Sequence, residues 1–193
     1  MSTSVFDHNS YILRKKLFNF LGQKFYLYDM QWNLVGFVKQ KAFKLKEDIR
    51  VFSDDTLTKE ILIIQARQII DFGAAYDITD PFTNERVGTL RRKGLMSTFV
   101  QDTWEVLDSQ ERQIGLLQED NPALAMIRRY FANIIPQGFT FSMGPDTVAS
   151  FQQNWNFFVP KLHVQFHVPP EQLDRRLGLG AAVLMSAIEG RQK

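Results

Sequence analysis

Apolar and polar residues alternate with a period of two through the first two-thirds of the chain, in short runs separated by turn residues, and this pattern predicts β-strands. Lys24-Phe25-Tyr26-Leu27-Tyr28 is one run and Leu34-Val35-Gly36-Phe37-Val38-Lys39 the next, with Asp29 to Asn33 supplying the turn between them. Phe43-Lys44-Leu45-Lys46 follows, and the same period puts Lys44 and Lys46 on one face of a strand. The run Glu60 to Ile70 is long enough for a helix. Its content of Ile61, Ile63, Ile64, Ile69 and Ile70 favours one or two strands instead.

One unit recurs along the chain. Tyr28-Asp29 precedes Val35-Gly36-Phe37-Val38, Tyr76-Asp77 precedes Val87-Gly88-Thr89-Leu90, and Leu107-Asp108 precedes Ile114-Gly115-Leu116-Leu117. The separation from Asp to Gly is 7 residues in the first and third copies and 11 in the second, where Asp80-Pro81-Phe82-Thr83-Asn84 reads as a longer turn. Each copy reads as a β-hairpin, and a glycine one residue into its second strand predicts a close backbone approach or a bulge. Thr140 to Val148 reads as a fourth, degenerate copy. Successive hairpins argue for a meander that closes into a barrel or packs as a sandwich. A helix should interrupt it once, over Asn121 to Phe131, with Asn121 as N-cap and Pro122 in the first helical position.

The C-terminal thirty residues behave differently. Leu162-His163-Val164-Gln165-Phe166-His167-Val168 alternates cleanly and stops at Pro169-Pro170, so it is a strand. Beyond the prolines, a helix starting near Pro170 has no charged residue from Leu177 to Ile188 and is apolar all round, which requires burial on every side. Twelve helical residues span only ~18 Å, short of the ~30 Å of a bilayer core, so the segment predicts no transmembrane span. Gly178, Gly180, Ala181 and Ala182 keep the helix thin. A helix threaded through a β-barrel meets both requirements.

Composition narrows the chemistry. The 193 residues contain no cysteine, and 23 Lys+Arg stand against 21 Asp+Glu. Disulfide frameworks, thiolate metal sites and cysteine nucleophiles are therefore excluded, and a formal charge of +2 lacks the basic excess expected of a nucleic-acid binder. The N-terminus has no basic segment followed by an apolar one, so the expected location is cytoplasmic. The overall balance hides an asymmetry, since residues 1–50 sum to +5 and the remainder to −3. Such a basic run is either a solvated strand face or a docking face for an anionic surface. His163 and His167 would lie ~13 Å apart on a strand and share no metal, and no cofactor motif is present. Asp77 with Asp80, and Glu119 with Asp120, are the acid pairs open to an acid/base role or to turn capping.

The hairpins marked by Tyr-Asp and Val-Gly, followed by Asp174-Arg175-Arg176-Leu177-Gly178-Leu179-Gly180-Ala181-Ala182-Val183-Leu184, resemble the tubby C-terminal-like superfamily, within its LURP-one-related and phospholipid-scramblase-like branch. The resemblance implies a mainly β fold, a closed antiparallel barrel of about 12 strands around a buried C-terminal α-helix. It covers residues 10–189 as one domain, with the central helix at about 171–189, a flexible N-terminus over 1–9 and a tail over 190–193. It also implies a non-enzymatic binding module for anionic phospholipid or a protein partner, possibilities that extend to scramblase-like lipid handling. The residues expected to meet an anionic lipid are Lys39, Lys41, Lys44, Lys46, Arg91, Arg92 and Lys93. This would place the protein peripherally at a membrane. An enzyme using acidic residues on the barrel surface is the alternative.

Because the core helix comes last, removing residues 177–193 should empty the barrel rather than shorten it. The truncated chain is expected to be insoluble or to melt without cooperativity; a cooperative melt near that of the full chain would refute a threaded helix.

Overall fold

Alternating strands with short turns leave one question open, which is how the ends of the meander are satisfied. In the computed structural model, which describes residues 4–16, 22–41, 47–67, 74–93, 103–120, 137–154 and 159–189, they pair with each other. The described strands are β1 (Ser10–Lys15), β2 (Lys24–Tyr28), β3 (Leu34–Gln40), β4 (Asp48–Phe52), β5 (Glu60–Ala66) and β6 (Ala75–Asp80). They continue with β7 (Glu85–Arg92), β8 (Thr103–Leu107), β9 (Gln113–Glu119), β10 (Gly138–Met143), β11 (Asp146–Gln153) and β12 (Lys161–Phe166), and one helix, α1 (Arg175–Glu189), ends the chain. Each strand pairs antiparallel with its sequence neighbours, and β1 pairs with β12 through Leu13 opposite Leu162 to close a twelve-stranded barrel. The strand expected at Phe43 to Lys46 and the helix expected at Asn121 to Phe131 lie outside the described residues.

The recurring unit extends further than its glycines. In β2–β3, β4–β5, β6–β7, β8–β9 and β10–β11 the register slips near the turn, and the extra residue is Val35, Ile61, Val87, Ile114 and Val148 in turn. All five are β-branched, and all five side chains pack on the core. The bulges therefore bend every hairpin inward at the same end of the barrel. The second hairpin is not lengthened as its spacing suggested. β6 runs on to Asp80, whose carboxylate accepts the Phe82 backbone N–H at 2.9 Å, while Asp77 sits within the strand.

α1 fills the barrel. Its residues from Leu177 to Met185 are buried, and it contacts β5, β6, β7 and β12. It begins at Arg175, later than the expected 171, because Pro169 opens a turn in which its carbonyl accepts the N–H groups of Gln172 and Leu173. Asp174 then caps the helix by accepting the Arg176 N–H at 2.8 Å. Close approach requires glycine on both sides of this contact. A Cβ on Gly88 would lie 2.5 Å from the Leu107 carbonyl oxygen and 2.9 Å from Leu177 Cδ1, and one on Gly178 would overlap the Phe166 ring.

The outer wall of β5 to β9 is tied by charge. Arg67 donates to both Asp77 carboxylate oxygens at 2.7–2.9 Å and to Glu111 at 2.8 Å, and Arg86 donates to the same Glu111 oxygen at 2.7 Å. Burial pushes the Asp77 carboxyl up, but the Arg67 guanidinium and the Thr89 hydroxyl outweigh it and hold the group below the usual carboxylate range.

Gly178→Ala sets two effects against each other. Helix propensity alone would stabilise by about 1 kcal/mol, whereas overpacking against Phe166 costs about 1–3 kcal/mol. The expected result is a lower urea midpoint with an unchanged slope. Asp77→Asn should cost about 1–3 kcal/mol at neutral pH. A lowered folded pKa stabilises above the unfolded value of about 4 and is lost as the pH falls through the folded one. The deficit, measured by urea titration, should therefore shrink on acidification below pH 4.

Candidate functional site

With α1 and the inward strand residues filling the barrel, chemistry that needs solvent is confined to the outer walls and rims. The inner positions of β1, β2, β3 and β12 are apolar almost throughout, including Leu13, Phe25, Leu27, Val38, Leu162, Val164 and Phe166. Their outer positions hold Arg14, Lys24, Lys39 and Lys161, while Lys15, opposite Phe25, ends β1 at an inward position. Closure makes these four strands neighbours, in the order β12-β1-β2-β3. Together they contain five Lys/Arg (Arg14, Lys15, Lys24, Lys39 and Lys161) and no Asp or Glu.

Register places these cations side by side. Lys161 lies opposite Arg14, Arg14 opposite Tyr26, and Lys24 directly opposite Lys39, with Arg50 of β4 next in the row. Like charges directly opposed across strands destabilise a sheet. Arg50 is neutralised, donating to Asp48 at 2.5 Å and to Glu60 at 2.9 Å, and these contacts raise its pKa. Arg14, Lys24, Lys39 and Lys161 form no ion pair with a described residue. Aromatic rings lie among them. Tyr26 packs edge-on against Phe37 at 5.1 Å between centroids, Tyr28 meets Trp32 at 5.4 Å, and Lys161 Nζ stands 4.5 Å from the Trp32 ring centre.

The cations expected from sequence fall into two groups. Lys39 lies on this wall, and Lys41 at the end of β3 pairs with Asp48 at 3.4 Å. Lys44 and Lys46 lie outside the described residues. Arg91, Arg92 and Lys93 belong to β7 and its end, with β4, β5 and β6 intervening, roughly 19 Å around the sheet at ~4.8 Å per strand. There Arg91 and Lys93 share Glu105 at 2.7 and 3.6 Å, and the Arg92 guanidinium lies over Trp104. Arg14, Lys24 and Lys161 were not among the expected cations, and only closure of the barrel reveals that Lys161, from the other end of the chain, stands beside Arg14.

The acid pairs do not converge. Asp80 closes its turn and accepts Arg176 at 3.0 Å, whereas Asp77 faces Arg67. Glu119 is buried, and Asp120 accepts the Thr140 hydroxyl at 2.6 Å. A concavity of about 590 Å³ between Met143, Asp146, Val148, Val168 and Gln172 contains none of these four acids. His167 meets the Ser150 hydroxyl at 3.0 Å with no described carboxylate on its ring. Among the described residues no three His, Asp or Glu side chains are placed to hold a metal ion, and no helix is long and apolar enough to cross a membrane.

The Asp-Arg-Arg segment has structural work at the turn end. Arg176 bridges Asp174, Asp80 and Glu85. Arg175 is buried against the Phe166 ring and donates to Val168 O at 2.6 Å, Asn9 Oδ1 at 2.7 Å and Leu173 O at 3.3 Å. Burial lowers its pKa, and burial also pushes the nearby Tyr11 phenol up to about 12, its hydroxyl donating to Val5 O.

No curated protein and no solved structure matches this chain. The LURP-one-related family model matches residues 34–180, from the start of β3 into α1. That span takes in ten of the twelve strands and the Asp174-Arg175-Arg176 segment on which the helix turns inward. With the closed barrel and its core helix, it makes the chain a member of the LURP-one-related family, within the tubby-like superfamily.

Proposed function

We propose that the protein is a non-enzymatic binding module whose β12-β1-β2-β3 wall docks on an anionic phospholipid surface. The observation that supports this most is the composition of the wall: four adjacent strands carry four outward cations and no carboxylate, with Lys24 and Lys39 held directly opposite each other. Folding alone gains nothing from that juxtaposition, whereas an anionic surface relieves it. Near such a surface each cation contributes about 1 kcal/mol, so Arg14, Lys24, Lys39 and Lys161 suffice for reversible binding. Lys41, Lys44 and Lys46 extend the same basic run beyond β3. Arg91, Arg92 and Lys93 contribute less, because Glu105 already offsets two of them. A carrier of lipid inside the barrel is disfavoured by the helix that fills it.

Flotation of the full chain with vesicles of phosphatidylcholine and phosphatidylserine, against phosphatidylcholine alone, tests this. Binding is expected only to the anionic vesicles, strongest at low salt and weakened at physiological salt, where screening acts over about 8 Å. Reversing both Lys24 and Lys39 to Glu should cost about 30-fold in affinity or more, while Lys59→Glu, exposed on the β4–β5 turn, should change little. No flotation at either salt would overturn the lipid reading in favour of an acidic protein partner.

A further inference from the structure

Four large hydrophobic side chains are exposed among the described residues, and three of them, Met30, Trp32 and Leu34, stand within five residues of each other on the β2–β3 turn. Trp32 is the informative one. It has φ +64°, in the left-handed region where a bulky residue is an outlier. The β8–β9 turn offers a direct comparison. It has the same length and the same hydrogen bonds, with Glu111 at φ 63° in the equivalent position and the Glu111 N–H donating to Asp108 O as the Trp32 N–H does to Asp29 O. Glu111 offsets its strain with ion pairs to Arg67 and Arg86. Trp32 has no such compensation, since it remains 49% exposed and its partners are Tyr28 and Lys161.

Those two partners fix where the indole lies. Tyr28 is on β2 and Lys161 on β12, so the Trp32 side chain reaches across the outer face of β1, between them, and along the basic wall. An amphipathic ring with an N–H at its edge, flanked in sequence by apolar Met30 and Leu34 and lying against Lys161 of the basic wall, matches a boundary where anionic headgroups meet acyl chains. We propose that Trp32, with Met30 and Leu34, is the apolar anchor by which this wall enters the headgroup boundary of an anionic bilayer. The proposal rests on the lipid reading of the wall and adds to it a specific depth of contact. The cations set the choice of surface, and the β2–β3 turn sets how firmly the protein is held.

Trp32→Gly removes the ring and suits the left-handed backbone, so the variant should fold and melt no lower than the parent. On vesicles of phosphatidylcholine and phosphatidylserine its affinity should fall about tenfold, the scale of withdrawing one aromatic side chain from an apolar environment. In the parent, brominated acyl chains should quench the part of the tryptophan emission that Trp32→Gly lacks. If the parent floats, that emission is unquenched and the glycine variant floats equally well, the anchor is overturned and the basic wall alone accounts for docking. If the parent does not float even at low salt, the lipid reading itself fails and takes the anchor with it.

Discussion

The fit of one helix, uncharged from Leu177 to Ile188, inside a closed sheet is the constraint on which the other features depend. A helix with side chains is about 10–12 Å across, and the barrel admits it because Gly178, Gly180, Ala181, Ala182 and Ala187 keep it thin where the strands come close. Gly88 makes the matching concession on the barrel side. Strand number, bulges and helix girth must therefore agree, and a change in any one is felt by the others. Leu177 to Met185 are buried in the interior, so the helix occupies the space that a ligand-carrying barrel would leave open.

The helix also has to enter the barrel, and charged residues do that work where the apolar stretch begins. Asp174 caps the first turn and places a carboxylate at the positive end of the helix dipole. Arg176 turns outward and ties that end to Asp80 and Glu85 on the β6–β7 hairpin. Arg175 turns inward, and its buried guanidinium is solvated by the Val168 and Leu173 carbonyls, Asn9 and the Phe166 ring rather than by a carboxylate. Through Asn9 and through Val5, which accepts the Tyr11 hydroxyl, residues before β1 are drawn onto the same end. The Asp-Arg-Arg segment that marks the family in the sequence thus serves the closure of the fold.

Much of this architecture was legible because period-two alternation reports burial directly. β2 coincides with the run Lys24 to Tyr28, and the hairpins with the Asp and Gly marks. The glycines led to too few copies, however. The feature common to five hairpins is the bulged β-branched residue, and Val35, Ile61, Val87 and Ile114 recur every 26 or 27 residues. In β4–β5 the next position is Leu62, which hides that copy from the glycine pattern, and in β10–β11 it is Ala149, which leaves that copy looking degenerate. Asp77 misled for a related reason, since it follows a tyrosine as Asp29 does but faces Arg67 from within a strand. The basic wall was only half visible. Charge counting found the N-terminal excess, but a cross-strand neighbour from residue 161 is a property of closure, which linear sequence does not display.

Closure also explains why one side of the barrel can be so unlike the rest. From β4 to β9 the outer wall matches bases with acids, as in Arg50 with Asp48 and Glu60, Arg67 with Asp77 and Glu111, and Arg91 with Glu105. Two of them, Arg50 with Glu60 and Arg91 with Glu105, set opposite charges on neighbouring strands, the arrangement that sheet stability alone favours. The β12-β1-β2-β3 wall breaks the rule: the charged residues of its strands are all cations, and its β2–β3 turn leaves Met30 and Trp32 exposed. Sheet stability does not call for either feature, and the buried helix supplies enough cohesion for both to persist. Two departures on the same wall, one electrostatic and one of apolar exposure, share a single physical explanation if that wall spends part of its time against an anionic, partly apolar surface.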